Sequence, residues 1–379
     1  MIIAIDHAIP YWKEAFSGLG EIRPFMGRDL KPADVRDVDA LIVRTITPVN
    51  ASLLEGSAVR FVGGASAGID HIDQGYLKGH GIYFSYAAGC NANAVSEYVV
   101  TALHVIASRR GWDLKSRSIA VIGVGNVGSM VANKAKALGM KVLLCDPPLR
   151  DLTGDAQYRD WEDVLGADIL SFHVPLAMEG PYPTWHMIDQ RTLDRLSPGQ
   201  FLINSSRGAV IDNEALKSAL LERRIKGAIL DVWEEEPQVD YSLLELLDIG
   251  TPHIAGISFD GKIRATGMVR EDLCRFFGIQ SSWDTNPFYP KSGLIGLEQE
   301  ISEQEALLSV LLQVFDIIKD DKDLRGLGLV AAGEAEAGFD RLRNNNPLRP
   351  EFGHFTVDLS RQNNDLSKTL ASLGFKLKI

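Results

Sequence analysis

Arg207, Glu236 and His253 lie in three separate short runs, NSSRGAVID, DVWEEEP and TPHIAG, and their side chains suit the oxidation of an alcohol beside a carboxylate. That reaction needs a cation for the carboxylate and the hydroxyl oxygen, a base for the hydroxyl proton, and an acceptor for the hydride on the same carbon. An arginine fork binds a carboxylate through two parallel hydrogen bonds, and its permanent charge polarises the carbonyl as it develops. A histidine, whose ordinary pKa is about 6.5, takes the proton on oxidation and returns it on reduction. Glu236, bonded to the other ring nitrogen, would fix the tautomer and favour the protonated ring, tuning the base without reacting itself. Histidine alone does not single out the base, because the chain has 8 and His173 also closes a strand-like run. The placement of His253 between Thr251-Pro252 and Gly256 does.

The hydride acceptor is indicated by Ile119–Gly128, IAVIGVGNVG, in which an apolar strand-like run enters a G-x-G-x-x-G turn at Gly123, Gly125 and Gly128. The first glycine allows a tight turn, the second a close approach of backbone to a pyrophosphate, and the third close packing of helix on strand. The helix that follows, expected over Ser129–Leu138, turns its first N–H groups toward the anion. The next strand, Lys141–Cys145, ends at Asp146, and 146 − 128 = 18 residues is the spacing of an acceptor for the adenosine ribose hydroxyls. Its charge would repel a 2′-phosphate, so the cofactor expected is NAD and not NADP.

These residues need a scaffold that gathers separate loops at one edge. After Ile119, β-like runs at Lys141–Cys145, Ile169–His173, Gln200–Ile203 and Ala228–Asp231 alternate with helical stretches to about Ile254, the pattern of a doubly wound parallel sheet. His173, Asn204 to Arg207 and Asp231 to Glu236 all lie beyond carboxyl ends of these runs, the edge on which open α/β sheets bind ligands. Earlier runs at Ile2–Asp6, Ala40–Val43, Arg60–Gly63 and Gly81–Phe84 predict a smaller α/β unit. A long helix over Asn93–Ser108 leads into Ile119 as a hinge, and a second over Lys262–Phe277, ending near Gly278, returns the chain to the first unit. A Pro-, Ser- and Gly-rich stretch at Ser281–Gly296 precedes a helix over Ser302–Lys319 and a tail to Ile379. The fold class expected is therefore α/β: a Rossmann-type doubly wound NAD domain (95–256), a flavodoxin-like discontinuous substrate domain (1–94 and 257–280) and a small α+β C-terminal domain (281–379). Ile301, Leu307, Leu308, Leu311, Leu312, Phe315 and Ile318 supply more apolar surface than a short helix hides alone, which predicts that this last domain builds a homodimer.

Length and charge agree with an enzyme of more than one domain. At 379 residues the chain is long enough for two or three cores, and a net charge of −11 argues against nucleic acid as the main partner. No basic segment followed by a sustained apolar run opens the chain, and no later run approaches the ~20 apolar residues that cross a bilayer, so no membrane is expected and the location expected is cytoplasmic. Cys90, Cys145 and Cys274 are odd in number and widely spaced, which implies reduced thiols with neither a disulfide framework nor a metal site.

The glycine turn with Asp146, N-x-x-R-G-x-x-x-D at Asn204–Asp212, D-V-x-x-x-E-P at Asp231–Pro237 and P-H-x-A-G at Pro252–Gly256 together resemble the D-isomer-specific 2-hydroxyacid dehydrogenase family over residues 40–280. The resemblance implies catalytic roles for Arg207, Glu236 and His253 and a substrate-carboxylate loop at Gly64–Asp73. CDPP at Cys145–Pro148, AAGCNANAVSEY at Ala87–Tyr98, DIGTPHIAG at Asp248–Gly256 and FDRLR at Phe339–Arg343 extend it over nearly the whole chain, to a branch with an added dimerising C-terminal domain and a small phosphorylated 2-hydroxy acid as substrate. Within that branch the resemblance implies substrate contacts at Thr45 and Ser66 and cofactor contacts at Asn126, Val127, Asp146, Val174, Asp231 and Gly256. Val174 stands where relatives carry Thr, and Ile257 where they carry a substrate-touching Tyr. The Arg–Glu–His set does not itself name the acid; another 2-hydroxy acid, such as 3-phosphoglycerate, or a non-catalytic NAD-sensing role is the alternative reading.

Overall fold

Short runs of two to five residues, most of them apolar, form all-parallel sheets in a computed structural model that describes residues 1–297, 301–360 and 364–379. The chain divides into two units, Met1–Asn91 with Ser258–Pro290, and Ala92–Ile257 with Lys291–Ile379.

In the first unit the strands are β1 (Ile2–Asp6), β2 (Glu21–Phe25), β3 (Ala40–Val43), β4 (Phe61–Gly64) and β5 (Tyr83–Tyr86), ordered β2-β1-β3-β4-β5. This is the flavodoxin-like order expected. Alternate side chains go to opposite faces. Ile3, Ile5, Ile42 and Phe61 pack with Val269 and Leu273 of the helix Phe259–Phe277, while Ala4, Leu41, Val43 and Val62 pack with Leu53, Leu54 and Leu77. A Cβ on Gly63 would stand 2.5 Å from Val269, so glycine there lets this helix lie against β4. Ser258 starts the helix, its hydroxyl accepting from Gly261 N–H at 2.9 Å, and Gly278 stops it at φ 68°.

In the second unit β6 (Ser118–Ile122), β7 (Lys141–Cys145), β8 (Ile169–Phe172), β9 (Phe201–Asn204), β10 (Gly227–Leu230) and β11 (Ile249–Gly250) lie in the order β11-β10-β9-β8-β6-β7. The strand that would extend a Rossmann sheet beyond β7 is reduced to one parallel bridge, Leu144 with Tyr158. The helix Ala92–Arg110 is buried around nearly its whole circumference, Glu97, Tyr98 and Thr101 included, and so is a core helix and not a surface one.

The tail adds a three-stranded parallel sheet, β12 (Gly293–Gly296), β13 (Phe355–Asp358) and β14 (Lys376–Lys378), with helices at Glu303–Val314, Ile317–Gly326, Ala332–Asn344 and Asn364–Leu373. Two expectations change here. The helix expected over Ser302–Lys319 is two helices, because Phe315 is extended and the Asp316 carboxylate accepts from Lys319 N–H at 3.0 Å, capping a new start. Residues Lys291–Ile379 are grouped with Ala92–Ile257 in one compact unit. Leu307, Leu311 and Phe315 share one core with Val95, Tyr98 and Leu103, with Ile301, Leu308, Leu312 and Ile318 packed at its margin. That apolar surface is satisfied within the chain and is not itself a reason for a dimer. All three cysteines are buried and free, and among the described residues no helix is long and apolar enough to cross a membrane.

Candidate active site

Three neighbouring parallel strands determine which loops meet. In register, Leu230 of β10 stands beside Asn204 of β9 and Gly250 of β11, so the chain leaves all three strands at one edge. Arg207 follows β9, Glu236 follows β10 and His253 follows β11. The structure thus gathers the three expected residues at adjacent strand ends of the second unit.

Asp231 holds this edge together. One carboxylate oxygen accepts from Thr251 Oγ1 at 2.7 Å and Ile254 N–H at 2.8 Å, and the other from Ala255 N–H at 3.0 Å. Its carbonyl accepts from His253 N–H at 2.7 Å. These bonds keep His253 in the left-handed region at φ 56°, which a side chain other than glycine rarely enters without such restraint. Asp231 is 1 % exposed; burial pushes its carboxyl up, against the opposite pull of His253 and its hydrogen-bond donors. Tyr98 reaches the same knot from the core helix, its hydroxyl 2.8 Å from Thr251 Oγ1, and Trp233 Nε1 donates to the Thr251 carbonyl at 3.0 Å.

With the loop fixed, His253 Nδ1 lies 2.7 Å from Glu236 Oε2, while Glu236 Oε1 accepts from Trp233 N–H at 2.8 Å. Burial pushes the Glu236 carboxyl up, but the His253 hydrogen bond and charge, the Trp233 N–H and the charge of Arg343 outweigh it and hold the group below its ordinary value. An ionised Glu236 accepts only, so Nδ1 carries the proton and Nε2 is left to take one. Glu234, two residues earlier, is committed elsewhere: it pairs with His186 Nε2 and accepts from Asn213 N–H at 3.2 Å. Within the acidic run only Glu236 faces the candidate base.

Arg207 is shaped by its own loop. Asn204 Nδ2 donates to the Arg207 carbonyl at 2.9 Å, and Asn204 Oδ1 accepts from Ser206 N–H at 3.1 Å and Oγ at 2.8 Å. Arg207 Nη1 donates to the Ser206 carbonyl at 2.9 Å, so its fork is partly oriented by its neighbour. A Cβ on Gly208 would stand 2.0 Å from the Trp233 carbonyl carbon. Glycine here permits the Arg207 loop to lie directly on the loop bearing Glu236.

The nucleotide turn fits a dinucleotide. Gly123 has φ 83°, and a Cβ there would stand 2.6 Å from the His173 carbonyl oxygen; a Cβ on Gly128 would stand 1.9 Å from the Gly123 carbonyl oxygen. A Cβ on Gly125 would meet nothing within 4 Å, which leaves the open face where backbone must approach a pyrophosphate. The helix Asn126–Ala137 has no side chain capping its N-terminus, so its first N–H groups point outward beside Asn126 and Val127. Asp146 ties the parts together, accepting from Val124 N–H at 2.7 Å and Leu149 N–H at 2.9 Å. Each carboxylate oxygen keeps a further lone pair for a hydroxyl donor. Val174 borders the turn, its Cγ1 2.8 Å from the place of a Gly123 Cβ. Gly256 and Ile257 are half-buried beyond His253, Ile257 N–H donating to the Ile254 carbonyl at 2.8 Å.

The first unit carries the other expected residues. Thr45 is exposed just after β3, and Ser66 Oγ donates to the Gly68 carbonyl at 2.9 Å in the loop after β4. Sequence reasoning assigned Asp231 to the cofactor; what the structure displays is its hold on the His253 loop, together with Thr251, Tyr98 and Trp233. The signal for Thr251 and Trp233 was their place inside the two diagnostic runs. The charge of Arg343, which closes the FDRLR run, also favours the ionised Glu236 of its own chain.

Fold and site together define a dehydrogenase of the 2-hydroxyacid class with an NAD-binding domain. Residues 94–255 match the family described as D-isomer specific 2-hydroxyacid dehydrogenase, NAD binding domain, and residues 290–374 match a domain of unknown function, DUF3410. The fold resembles D-lactate dehydrogenase from Aquifex aeolicus complexed with NAD and lactic acid, with a TM-score of 0.61 and 24 % identity, covering 73 % of this chain and 96 % of that one. Over the full length, the chain is 43 % identical to the erythronate-4-phosphate dehydrogenase of Proteus mirabilis across 377 residues, 99 % of each protein. It is also 43 % identical to that of Escherichia fergusonii across 360 residues, 94 % of each. The chain belongs to the erythronate-4-phosphate dehydrogenase family.

Proposed function

We propose that this enzyme oxidises C2 of 4-phospho-D-erythronate to 2-oxo-3-hydroxy-4-phosphobutanoate with NAD, a step in the synthesis of vitamin B6. The observation that carries this reading is the 2.7 Å contact between His253 Nδ1 and Glu236 at the strand edge shared with Arg207, in a chain related over its whole length to enzymes named for that substrate. Arg207 holds the substrate carboxylate and polarises the C2 oxygen. His253 Nε2 takes the C2 hydroxyl proton as the carbonyl forms, and Glu236 stabilises the resulting imidazolium. NAD, bound at Gly123 to Gly128 with Asn126, Val127, Asp146, Val174, Asp231 and Gly256, supplies the hydride acceptor. Thr45, Ser66 and Ile257 complete the assigned substrate contacts.

We further assign the protein to the cytoplasm and to a homodimer. Leu294, Leu329, Val330 and Leu348 of the tail, 39 % to 91 % exposed, supply apolar surface for a second copy. Sedimentation velocity at micromolar concentration tests this, and a monomer rejects it. For the reaction, purified protein is assayed with 4-phospho-D-erythronate, 3-phosphoglycerate and D-lactate, following bound NADH fluorescence and the 2-oxo product. The highest kcat/KM is expected for 4-phospho-D-erythronate; a preference for either other acid overturns the substrate, and turnover of none overturns the enzyme.

A further inference from the structure

β11 is the edge strand of its sheet and consists of Ile249 and Gly250 alone, yet the chain leaving it carries His253. On its inner side, Asp248 N–H donates to the Ala228 carbonyl at 3.0 Å and Thr251 N–H to the Leu230 carbonyl at 2.9 Å, both of β10. The Gly250 N–H is not part of that ladder. It donates at 2.8 Å to Asp321 Oδ1, a carboxylate on the tail helix Ile317–Gly326 that is 6 % exposed. An edge strand usually leaves such groups to water. Here a side chain from 71 positions downstream stands where a further strand would pair.

Asp321 is itself held in place. Arg325, one turn later on the same helix, donates through Nε to both carboxylate oxygens, at 3.1 and 3.0 Å. The other nitrogens of its fork reach the chain entering β11, Nη1 the Leu244 carbonyl at 2.7 Å and Nη2 the Leu247 carbonyl at 3.0 Å. The tail thus grips β11 and its approach from outside, while the inner side is already full: a Cβ on Gly250 would stand 2.2 Å from Leu244 Cδ1. Next in the chain is Thr251, whose hydroxyl lies between Tyr98 and Asp231, and then His253, whose N–H donates to the Asp231 carbonyl. The end of β11 is therefore the point from which the His253 loop hangs, and two ladder bonds alone fix it weakly.

We propose that Asp321 is a positioning residue for the reaction: by accepting the Gly250 N–H it sets the place of β11, and with it the 2.7 Å approach of His253 Nδ1 to Glu236. This rests on the reading of His253 as the base. The tail thereby serves the active site of its own chain, a role separate from assembly. Without the carboxylate, a buried N–H is left unpaired and the strand end moves to find another acceptor.

The test compares full-length Asp321→Ala, Asp321→Asn and Leu324→Ala. Leu324 is fully buried on the same helix, so its truncation loosens packing and leaves the Gly250 acceptor in place. In Asp321→Ala, kcat should fall about 10- to 100-fold, the effect of a misplacement near 1 Å. The acid limb of kcat/KM should also move to lower pH by about half a unit or more, because the protonated ring loses part of its contact with Glu236. Lost stability alone lowers Tm and leaves that limb where it was, the result expected for Leu324→Ala. Asp321→Asn keeps an acceptor oxygen and should recover most of kcat. Full kcat with an unmoved limb in Asp321→Ala, or an equal movement in Leu324→Ala, overturns the proposal.

Hydrogen exchange over residues 249–254 gives a readout without turnover, and it should be about 10-fold faster in Asp321→Ala. If that variant does not stay folded, Asp321→Asn decides the matter. Its neutral oxygen is the weaker acceptor, so exchange should still exceed that of the wild type, and equal exchange overturns the proposal. Faster exchange in Asp321→Ala beside a fully active His253→Ala would leave the tail's hold on β11 standing and remove His253 as the base.

Discussion

Arg349 Nη1 donates to Glu97 Oε2 at 2.5 Å inside the protein, where Glu97 is 0 % and Arg349 7 % exposed. The Glu97 carboxylate also accepts from Asn93 Nδ2 at 2.9 Å and Phe352 N–H at 2.8 Å, and the guanidinium lies 4.4 Å from the centre of the Phe315 ring. The tail is therefore fastened to the core helix by a desolvated ion pair. Arg349→Met should cost roughly 3–5 kcal/mol, because it leaves a buried carboxylate without its cation. Chemical denaturation checks this, and adding Glu97→Gln should recover much of the loss.

The same pair has a pH signature. Burial pushes the Glu97 carboxyl up to about 7 from 4.5, against the pull of Arg349. A raised folded pKa favours the protonated group, so its contribution is complete below the unfolded value and is lost as pH rises through the folded one. Glu97→Gln, which resembles the protonated form at every pH, should therefore gain on the wild type in melting temperature as pH rises from 4.5 toward 7. A constant difference across that window would contradict the assignment.

His253→Ala should lower kcat by about 10²- to 10⁴-fold with little change in NAD binding, the usual worth of a positioned acid–base group. Glu236 is held ionised through the working range, so Glu236→Gln removes a negative charge from the ring at 2.7 Å. The acid limb of the kcat/KM profile should then move to lower pH, since the protonated ring has lost its partner. Coincident limbs in the two proteins would show that the pair is not coupled in catalysis.

Gly208→Ala tests whether the loops must touch. The added methyl would stand 2.0 Å from backbone atoms of Trp233, which cannot yield as a flexible side chain does. Loss of kcat with nearly intact NAD affinity is expected, because the Arg207 and Glu236 loops part while the glycine turn is unaffected. Retention of full kcat would mean that the loops tolerate separation.

Asp146→Ala should lower the ratio of kcat/KM with NAD to that with NADP, by weakening ribose recognition and relieving repulsion of the 2′-phosphate. It also removes the acceptor for Val124 and Leu149 N–H, so NAD affinity should fall as well. Steady-state kinetics with both cofactors decides this; a ratio that does not fall rejects Asp146 as the selector.

Much of this architecture was legible along the chain. Runs such as Ile2–Asp6 and Lys141–Cys145 became strands with the expected limits, since apolar residues bounded by turns have few other solutions. β2 escaped notice because Glu21, Arg23 and Pro24 break the apolar signal in a strand that lies at the sheet edge, where proline and charge are tolerated. β11 has two residues, too few to show a period. The identities of Arg207, Glu236 and His253 could be read from their runs, but their support could not. The four hydrogen bonds that Asp231 accepts, the left-handed His253 backbone and the diversion of Glu234 to His186 depend on partners brought together only by the folded chain.

The common core of the tail and the nucleotide-binding unit also bears on how the protein is made. Glu97 meets a partner 252 positions later, and Lys134 Nζ donates at 2.8 Å to the carbonyl of Leu373, 239 positions later. During synthesis from the N-terminus, the second unit must wait, with part of its interior open, until Leu373 has left the ribosome. The first unit also cannot close early, because Val269 and Leu273 are part of its core. Exposed apolar surface persists through most of translation, and a chain that stops short of residue 373 releases an unfinished interior and not a smaller enzyme.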